Sequence, residues 1–262
     1  MYLDMSILEQ QISNILTDLK NVYGVSQIKC EFGEESTTFE EAARLKEIVS
    51  NAGMDLVVKV GGCEAVNDIS QAKNLEASII VSPMIETPYA LEKYIKSIKS
   101  VFEENEATKF MINVETITGF NHFEKMTNLP EFALLSGIVL GRDDMACSLG
   151  LTQNEVNNSK ILEISKELSL KVEAAGKDFI IGGGVNSDSL SFLKSLPYLT
   201  RFETRKVIFN SSLIRENIAE SGLKRALEFE IMWLKYKSNC AMSKRDELRL
   251  KNLQERLNLI HF

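Results

Sequence analysis

Seven apolar segments rich in β-branched residues recur along the chain, and segments with the period of an α-helix separate them. The apolar segments are SQIKCEF (26–32), DLVVKV (55–60), ASIIVSPM (77–84), FMINVE (110–115), SGIVLG (136–141), DFIIGGG (178–184) and RFETRKVIF (201–209). Strands that alternate with helices form parallel sheets, and a parallel sheet covered on both faces has strands that are apolar throughout. The pattern therefore predicts an α/β protein built from repeated strand–helix units.

Such units are compatible with an open doubly wound sheet or with a closed (β/α)8 barrel. No Gly-x-Gly-x-x-Gly motif follows the first strand, which disfavours a dinucleotide-binding sheet. Charged residues follow nearly every strand. In a barrel these strand ends meet on the one face where barrel enzymes place their active sites. We therefore predict a TIM-barrel-like catalytic domain over residues 1–210, followed by a C-terminal helical extension over residues 211–262.

The composition excludes several classes of protein. The 262 residues carry a net charge of −7 with both signs interspersed, which disfavours binding to nucleic acid or to an anionic membrane. No apolar run reaches the roughly 18 residues that span a bilayer. The first residues include Asp4 and Glu9 and lack the basic region of a signal peptide, and the four cysteines form no Cys-x-x-Cys pair. We therefore expect a cytoplasmic protein that acts on small molecules.

Carboxylates follow two consecutive strands. Glu115 ends FMINVE, and Asp143 and Asp144 come directly after SGIVLG. Side chains at adjacent strand ends can approach each other, and two oxygen ligands with open coordination positions suit Mg²⁺ or Mn²⁺. The alternative is that these acids are solvated or cap the following helix. On the residues alone, both interpretations stay open.

The stretch MINVETITGFNHFEKM…LLSGIVLGRDDMACSLG resembles the HpcH/HpaI aldolase and citrate lyase family. Members of that family carry a glutamate at the end of a QIET-like strand and an aspartate in a GPxDLSxSLG-like turn, and the pair holds a divalent metal. Glu115 and Asp144 fall on these two positions, and IIVSPMIET (79–87) matches the family's VPMVE strand. The resemblance covers residues 25–150 and implies a barrel in which Glu115 and Asp144 bind Mg²⁺ or Mn²⁺.

The resemblance also implies an activity. It predicts a metal-dependent carbon–carbon lyase or aldolase that acts on a 2-oxo acid through pyruvate-enolate chemistry, with an anionic compound as the second substrate. The metal would act as a Lewis acid. The alternatives are a citrate-lyase-type acyl-CoA lyase or condensing enzyme, and a barrel that has lost its chemistry and binds a metabolite.

Two positions depart from the family pattern. Lys59 stands where the family has a catalytic arginine, and the exchange keeps the charge but loses the bidentate fork. A lysine there also permits a Schiff-base mechanism. KCEFGEES has no histidine where the family's aldolases usually carry one, so a glutamate such as Glu31 would transfer the proton. We predict that Lys59 and Glu31 are catalytic.

Further strand ends offer candidate substrate contacts. The IIGGGVNSDS turn places Gly183 and Gly184 before a helix, which suits an anion, although a glycine-permitted tight turn explains it equally well. Arg205 is predicted to clamp a substrate carboxylate or phosphate as a catalytic residue, or else to close the barrel in an Arg–Glu pair. Glu86 and Asp143, also at strand ends, are predicted to face the substrate.

The C-terminal segment carries more apolar residues than a final barrel helix needs. Two helices with such stripes would leave them uncovered on a monomer. The family resemblance implies that C-terminal helices pack on a neighbouring barrel. We therefore predict a homo-oligomer, with a trimer or hexamer favoured over a dimer.

Overall fold

Eight strands form a closed barrel in the computed structural model, which describes residues 5–104, 106–216, 218–238 and 243–259. The strands are β1 (Gln27–Glu31), β2 (Asp55–Lys59), β3 (Ile79–Ser82), β4 (Lys109–Asn113), β5 (Leu135–Gly141), β6 (Asp178–Gly182), β7 (Arg201–Glu203) and β8 (Val207–Asn210). Their order around the barrel is their order in the sequence. The predicted α/β barrel is confirmed.

Helices surround the barrel. They are α1 (Met5–Asn21), α2 (Phe39–Asn51), α3 (Val66–Asn74), α4 (Pro88–Lys99), α5 (Ile117–Thr127), α6 (Arg142–Ser148), α7 (Ser159–Ala174), α8 (Leu190–Lys194), α9 (Ser212–Arg215), α10 (Ala219–Ser238) and α11 (Lys244–Leu259). Short 3₁₀ helices occupy Pro130–Leu134, Gln153–Glu155 and Ser187–Ser189. None of the helices in the described ranges is long and apolar enough to cross a membrane.

The segment 201–209, predicted as one strand, is two short antiparallel strands. β7 and β8 pair with Phe202 opposite Phe209, and β8 also runs antiparallel to β1. The polar residues in the middle of the segment form the turn, in which the Thr204 N–H donates to the Val207 carbonyl at 2.9 Å. A hairpin therefore closes the barrel in place of an eighth parallel strand.

Threonine caps fix the loops that follow β3 and β4. The Thr87 hydroxyl accepts the Ala90 N–H at 3.1 Å and starts α4, where Pro88 occupies the first helical position. The Thr116 hydroxyl accepts the Gly119 N–H at 3.1 Å and starts α5. Thr87 directly follows Glu86, and Thr116 directly follows Glu115, so the helix starts constrain the backbone that carries these carboxylates.

The barrel interior is filled below its C-terminal face. A buried apolar cluster occupies the middle of the barrel and consists of Val57, Ile79, Val81, Met111, Val139, Ile180 and Ile208. Arg201 closes the N-terminal face, where it donates to Gln27 Oε1 at 2.7 Å and pairs with Asp178. Lys29 and Glu203 form an ion pair within the barrel. The apolar cluster and these pairs fill the lower part of the barrel, so we look for the site at the C-terminal ends of the strands, which we call the mouth.

The C-terminal helices pack on their own chain. α10 lies against α1, and α11 lies against α10 through Leu227, Ile231, Leu234 and Leu253. The expectation that a monomer would leave these apolar stripes uncovered is therefore wrong for α10, because α1 supplies a covering surface that the sequence pattern did not assign. On α11, Leu253 is buried but Leu248 remains exposed. The division at residue 210 and the homo-oligomer stay predictions. Asp4, Cys240 and Ile260 lie outside the described residues.

Packing of α11 on α10 predicts a difference between two leucines of one helix. Leu253 is 1% exposed within the α10–α11 cluster, whereas Leu248 is 61% exposed. Leu253→Ala should lower the free energy of unfolding by about 2–5 kcal/mol, the usual effect of removing a buried leucine side chain. Leu248→Ala should change it by less than about 0.5 kcal/mol. Urea denaturation measures both, and equal effects would contradict the packing.

Candidate active site

Strand register brings Glu31 and Lys59 together at the mouth. The two residues end β1 and β2 and lie opposite each other in the parallel ladder. Lys59 Nζ lies 3.3 Å from Glu31 Oε1, and the Glu34 N–H donates to the same oxygen at 3.2 Å. Both side chains are largely shielded from solvent. The structure thus joins two of the three predicted catalytic residues in one ion pair.

Glu115 is the most deeply buried carboxylate at the mouth, with 2% of its surface exposed. Its Oε1 accepts the Met84 N–H at 3.0 Å, and its Oε2 accepts Asn113 Nδ2 at 2.8 Å. Met84 has a left-handed φ of 54°, an uncommon backbone conformation for a non-glycine residue. A Cβ at Gly141 would lie 2.5 Å from Glu115 Oε2. The surroundings therefore fix the carboxylate and leave no spare space on its β5 side.

The mouth holds an excess of negative charge around one ammonium group. Burial raises the pKa of Glu115, and the charge of Asp144 adds to the rise, although Lys59 opposes it. Burial likewise raises the pKa of Asp144 against the charge of Lys59. Burial by itself would lower the pKa of Lys59, but the carboxylates of Glu115, Glu31 and Glu203 outweigh it and raise that pKa. The pKa values of Glu115, Asp144 and Lys59 therefore depend on one another's charge.

Asn113 is a site residue that the sequence analysis did not identify. It lies two residues before Glu115, so the two side chains point to the same side of the chain. Its Nδ2 donates to Glu115, whereas its buried Oδ1 has no hydrogen-bond partner among the described residues. Buried polar atoms are normally paired, so an unpaired oxygen beside a carboxylate marks a place for water, substrate or an ion. The position of Asn113 two residues before Glu115 is the sequence signal that could have identified it.

Asp144 lies in the first turn of α6, beside a loop that the sequence analysis assigned to the substrate. Gly183 and Gly184 both have left-handed φ, 75° and 59°. A Cβ at Gly183 would lie 2.5 Å from the Arg142 nitrogen and 2.6 Å from the Asp143 nitrogen, so this glycine permits close packing on α6. Burial raises the pKa of Asp143, against the Arg142 charge and a hydrogen bond from the Gly184 N–H. A substrate contact by either glycine or by Asp143 stays a prediction.

The remaining predicted residues already have protein partners. Glu86 Oε1 accepts the Thr116 hydroxyl at 2.7 Å, which links the two loops that carry Glu86 and Glu115. Arg205 Nη2 lies 3.1 Å from Glu34 Oε1, and Arg205 Nη1 lies 3.8 Å from Glu35 Oε1. This geometry matches the alternative of an Arg–Glu pair that closes the barrel. A catalytic role for Arg205 and a substrate contact by Glu86 stay predictions.

The donor set fits a hard divalent cation. Glu115 and Asp144 offer carboxylate oxygens, and the unpaired Asn113 Oδ1 adds a neutral oxygen nearby. A carboxylate has about four lone-pair positions, so the two hydrogen bonds to Glu115 leave room for a ligand bond. Within the described ranges, no group of three or more His, Cys, Asp or Glu side chains is arranged to hold a metal ion. An ion at the mouth would therefore keep several positions for water or substrate.

Comparison with known proteins gives the following matches. The family model described as HpcH/HpaI aldolase/citrate lyase matches residues 37–183, more than half of the chain. No curated protein matches the chain in sequence. An HpcH/HpaI aldolase/citrate lyase family protein from Burkholderia cenocepacia J2315 has 14% identity and a TM-score of 0.59, over 79% of this chain and 88% of that one.

Two further solved structures share the fold. The HpcH/HpaI aldolase from Desulfitobacterium hafniense DCB-2 has 11% identity and a TM-score of 0.56, over 82% of this chain and 89% of that one. The citrate synthase SbnG has 15% identity and a TM-score of 0.57, over 83% of this chain and 87% of that one. At these identities the likeness supports the fold.

The raised pKa of Glu115 predicts a pH dependence of stability in the presence of a chelator. A carboxyl group whose pKa is higher in the folded state binds more protons there, so it destabilises the fold as pH rises through that pKa. The Tm of Glu115→Gln should therefore rise relative to the Tm of wild type as the pH increases from about 4 to about 8. This interval begins near the usual pKa of a carboxyl group and extends well above it. Differential scanning calorimetry measures it. A difference that stays constant or falls with pH would refute the electrostatic description.

Proposed function

The chain belongs to the HpcH/HpaI aldolase/citrate lyase family, and from this premise we propose that it is a metal-dependent carbon–carbon lyase acting on a 2-oxo acid. One observation carries the proposal: the carboxylate of Glu115 is buried at the mouth of the barrel, within electrostatic range of Asp144 and Lys59. Barrel enzymes place their chemistry at this face.

Glu115 and Asp144 would hold Mg²⁺ or Mn²⁺. The ion would supply Lewis-acid polarisation of the substrate's carboxylate and keto oxygens. The residues around it set the conditions for that chemistry. Asn113 and the Met84 backbone orient the Glu115 carboxylate, and the excess of negative charge at the mouth favours a cation over an anion as the first ligand.

Lys59 would stabilise the negative charge that develops on the substrate oxygen. Its ammonium is fixed by Glu31 at 3.3 Å, and its raised pKa keeps it protonated. A preoriented donor of this kind typically contributes a factor of about 10²–10³ to the rate. A Schiff-base mechanism needs the neutral amine, so the same pKa shift argues against it.

Glu31 would act as the general base in place of a histidine. In the cleavage direction, its carboxylate takes the proton from the hydroxyl group beside the breaking carbon–carbon bond, and that hydroxyl carbon becomes a carbonyl. The bonding electron pair moves into the 2-oxo acid as its enolate, and a proton then adds to the enolate carbon. Glu31 is buried with its Oε1 3.3 Å from Lys59 Nζ, so the base and the ammonium group would face the same substrate.

Metal binding is predicted to depend on Glu115, Asp144 and the space beside them. Glu115→Gln and Asp144→Asn should each abolish Mn²⁺ binding measured by titration calorimetry. Gly141→Ala should weaken it by roughly 10–100-fold, because the new Cβ would displace Glu115 Oε2. Gly62→Ala is the matched control, since a Cβ there meets no atom within 4 Å. Unchanged affinity in the Glu115 and Asp144 variants would rule out the site.

Enolate formation can be tested without knowing the second substrate. With Mg²⁺ present, the wild-type protein should exchange the methyl protons of pyruvate for deuterium from the solvent, followed by NMR. Lys59→Ala should reduce the rate by about 10²-fold or more. Exchange no faster than in Glu115→Gln, for pyruvate and other small 2-oxo acids, would favour a barrel that binds a metabolite without catalysis. Borohydride trapping of a pyruvate adduct would indicate a Schiff base instead.

A further inference from the structure

Arg142 is a fully buried arginine next to the two aspartates of α6, with 0% of its surface exposed. Its Nε donates to the Gly182 carbonyl at 3.3 Å, and one Nη donates to the Gly183 carbonyl at 2.8 Å. The guanidinium also donates to Asn157 Oδ1 at 2.7 Å and to Ser189 Oγ at 3.1 Å. All four acceptors are neutral, two of them backbone carbonyls and two side-chain oxygens, so Arg142 links these segments without forming an ion pair.

The position of this cation is costly. Burial lowers the pKa of Arg142 to about 10, against the charge of Asp143. A charge removed from water destabilises a fold unless its hydrogen bonds are satisfied. Four bonds to the planar fork satisfy it, and the Phe192 ring lies 4.8 Å from its central carbon. The environment is therefore built around a guanidinium group.

Asp143 holds the same loop from its other side. The Gly184 N–H donates to the Asp143 carboxylate, and a Cβ at Gly184 would lie 3.1 Å from Asp143 Oδ1. Two adjacent residues of α6 thus bind the loop at the end of β6. Arg142 donates to the carbonyl groups of Gly182 and Gly183, and Asp143 accepts the N–H of Gly184. Gly141 precedes them as the N-cap and makes no side-chain cap bond. This loop is therefore one of the contacts that fix the first turn of α6.

We propose that Arg142, together with Asp143, is a positioning residue that fixes Asp144 opposite Glu115 by clamping the first turn of α6 to the Gly182–Gly184 loop. This inference rests on the proposed function, since Asp144 is the carboxylate that would bind the cation. It gives each residue of the Arg142-Asp143-Asp144 sequence a separate task. The first two hold the loop, and the third faces the mouth.

The test compares the clamp with a similar arginine at the other end of the barrel. Arg142→Lys keeps the charge but loses the planar fork. Arg201→Lys is the matched control, because Arg201 also bridges strands but lies at the N-terminal face. Gly183→Ala disturbs the clamp from the loop side, and Gly137→Ala is its control, with a Cβ 2.9 Å from Asp178 Cβ near the N-terminal face. Titration calorimetry with Mn²⁺ and thermal melting are measured for all four.

Arg142→Lys and Gly183→Ala should weaken Mn²⁺ binding by roughly 10–100-fold, the usual effect of losing a partner that orients a metal ligand. Pyruvate exchange should return toward the wild-type rate when Mg²⁺ is raised to saturation. The two controls, Arg201→Lys and Gly137→Ala, should lower Tm by about as much as the two clamp variants do. Their Mn²⁺ affinity should nevertheless stay within about twofold of wild type. If Arg142→Lys does not fold, Gly183→Ala decides.

Two results would overturn the inference alone. One is wild-type Mn²⁺ affinity in both clamp variants, and the other is an equal loss of affinity in the clamp variants and their controls. Absence of Mn²⁺ binding by the wild-type protein would overturn the proposed function, and the inference with it. The wild-type titration therefore separates the two failures.

Discussion

The burial of one carboxylate sets the arrangement of the mouth. Glu115 lies where solvent barely reaches it, so its charge must be balanced by groups the protein supplies. Met84 takes up a strained backbone angle and Asn113 turns its amide inward to donate to it, while Lys59 provides the opposing charge. Even the lack of a side chain at Gly141 follows from the same need. Together these features form the environment of a buried carboxylate.

The parts of the site that the sequence predicts are those with a periodic or positional signal. Glu115 and Lys59 end apolar strands, and barrel topology sends every such end to one face, so their meeting follows from the pattern. Arg142 has no such signal, because half of its acceptors are backbone carbonyls that any sequence contains. Asn113 was overlooked because an amide inside an apolar strand looks like a minor interruption of the pattern.

The fold shows the same division. A helical segment separates each of β1 to β6 from the next strand, whereas only three residues separate β7 from β8, so the two strands and their turn look like one segment. Without a helical segment between two strands, the sequence pattern does not reveal that the chain reverses direction. The packing of α10 on α1 joins segments about 200 residues apart, and contacts between the two ends of a chain leave no trace in local periodicity.

The reversed direction of β8 decides where the chain leaves the barrel. An eighth parallel strand would emerge at the mouth, but β8 descends and emerges at the opposite face, where α10 begins near Tyr23. The 20 residues of α10 then climb the full height of the barrel, about 30 Å, and Lys237 at its far end meets Glu41 and Asp246. The start of α11 is thereby delivered to the rim, over a cavity of about 170 Å³ lined by Glu34, Arg205 and Arg245. The first turns of α11 thus form one wall of this cavity.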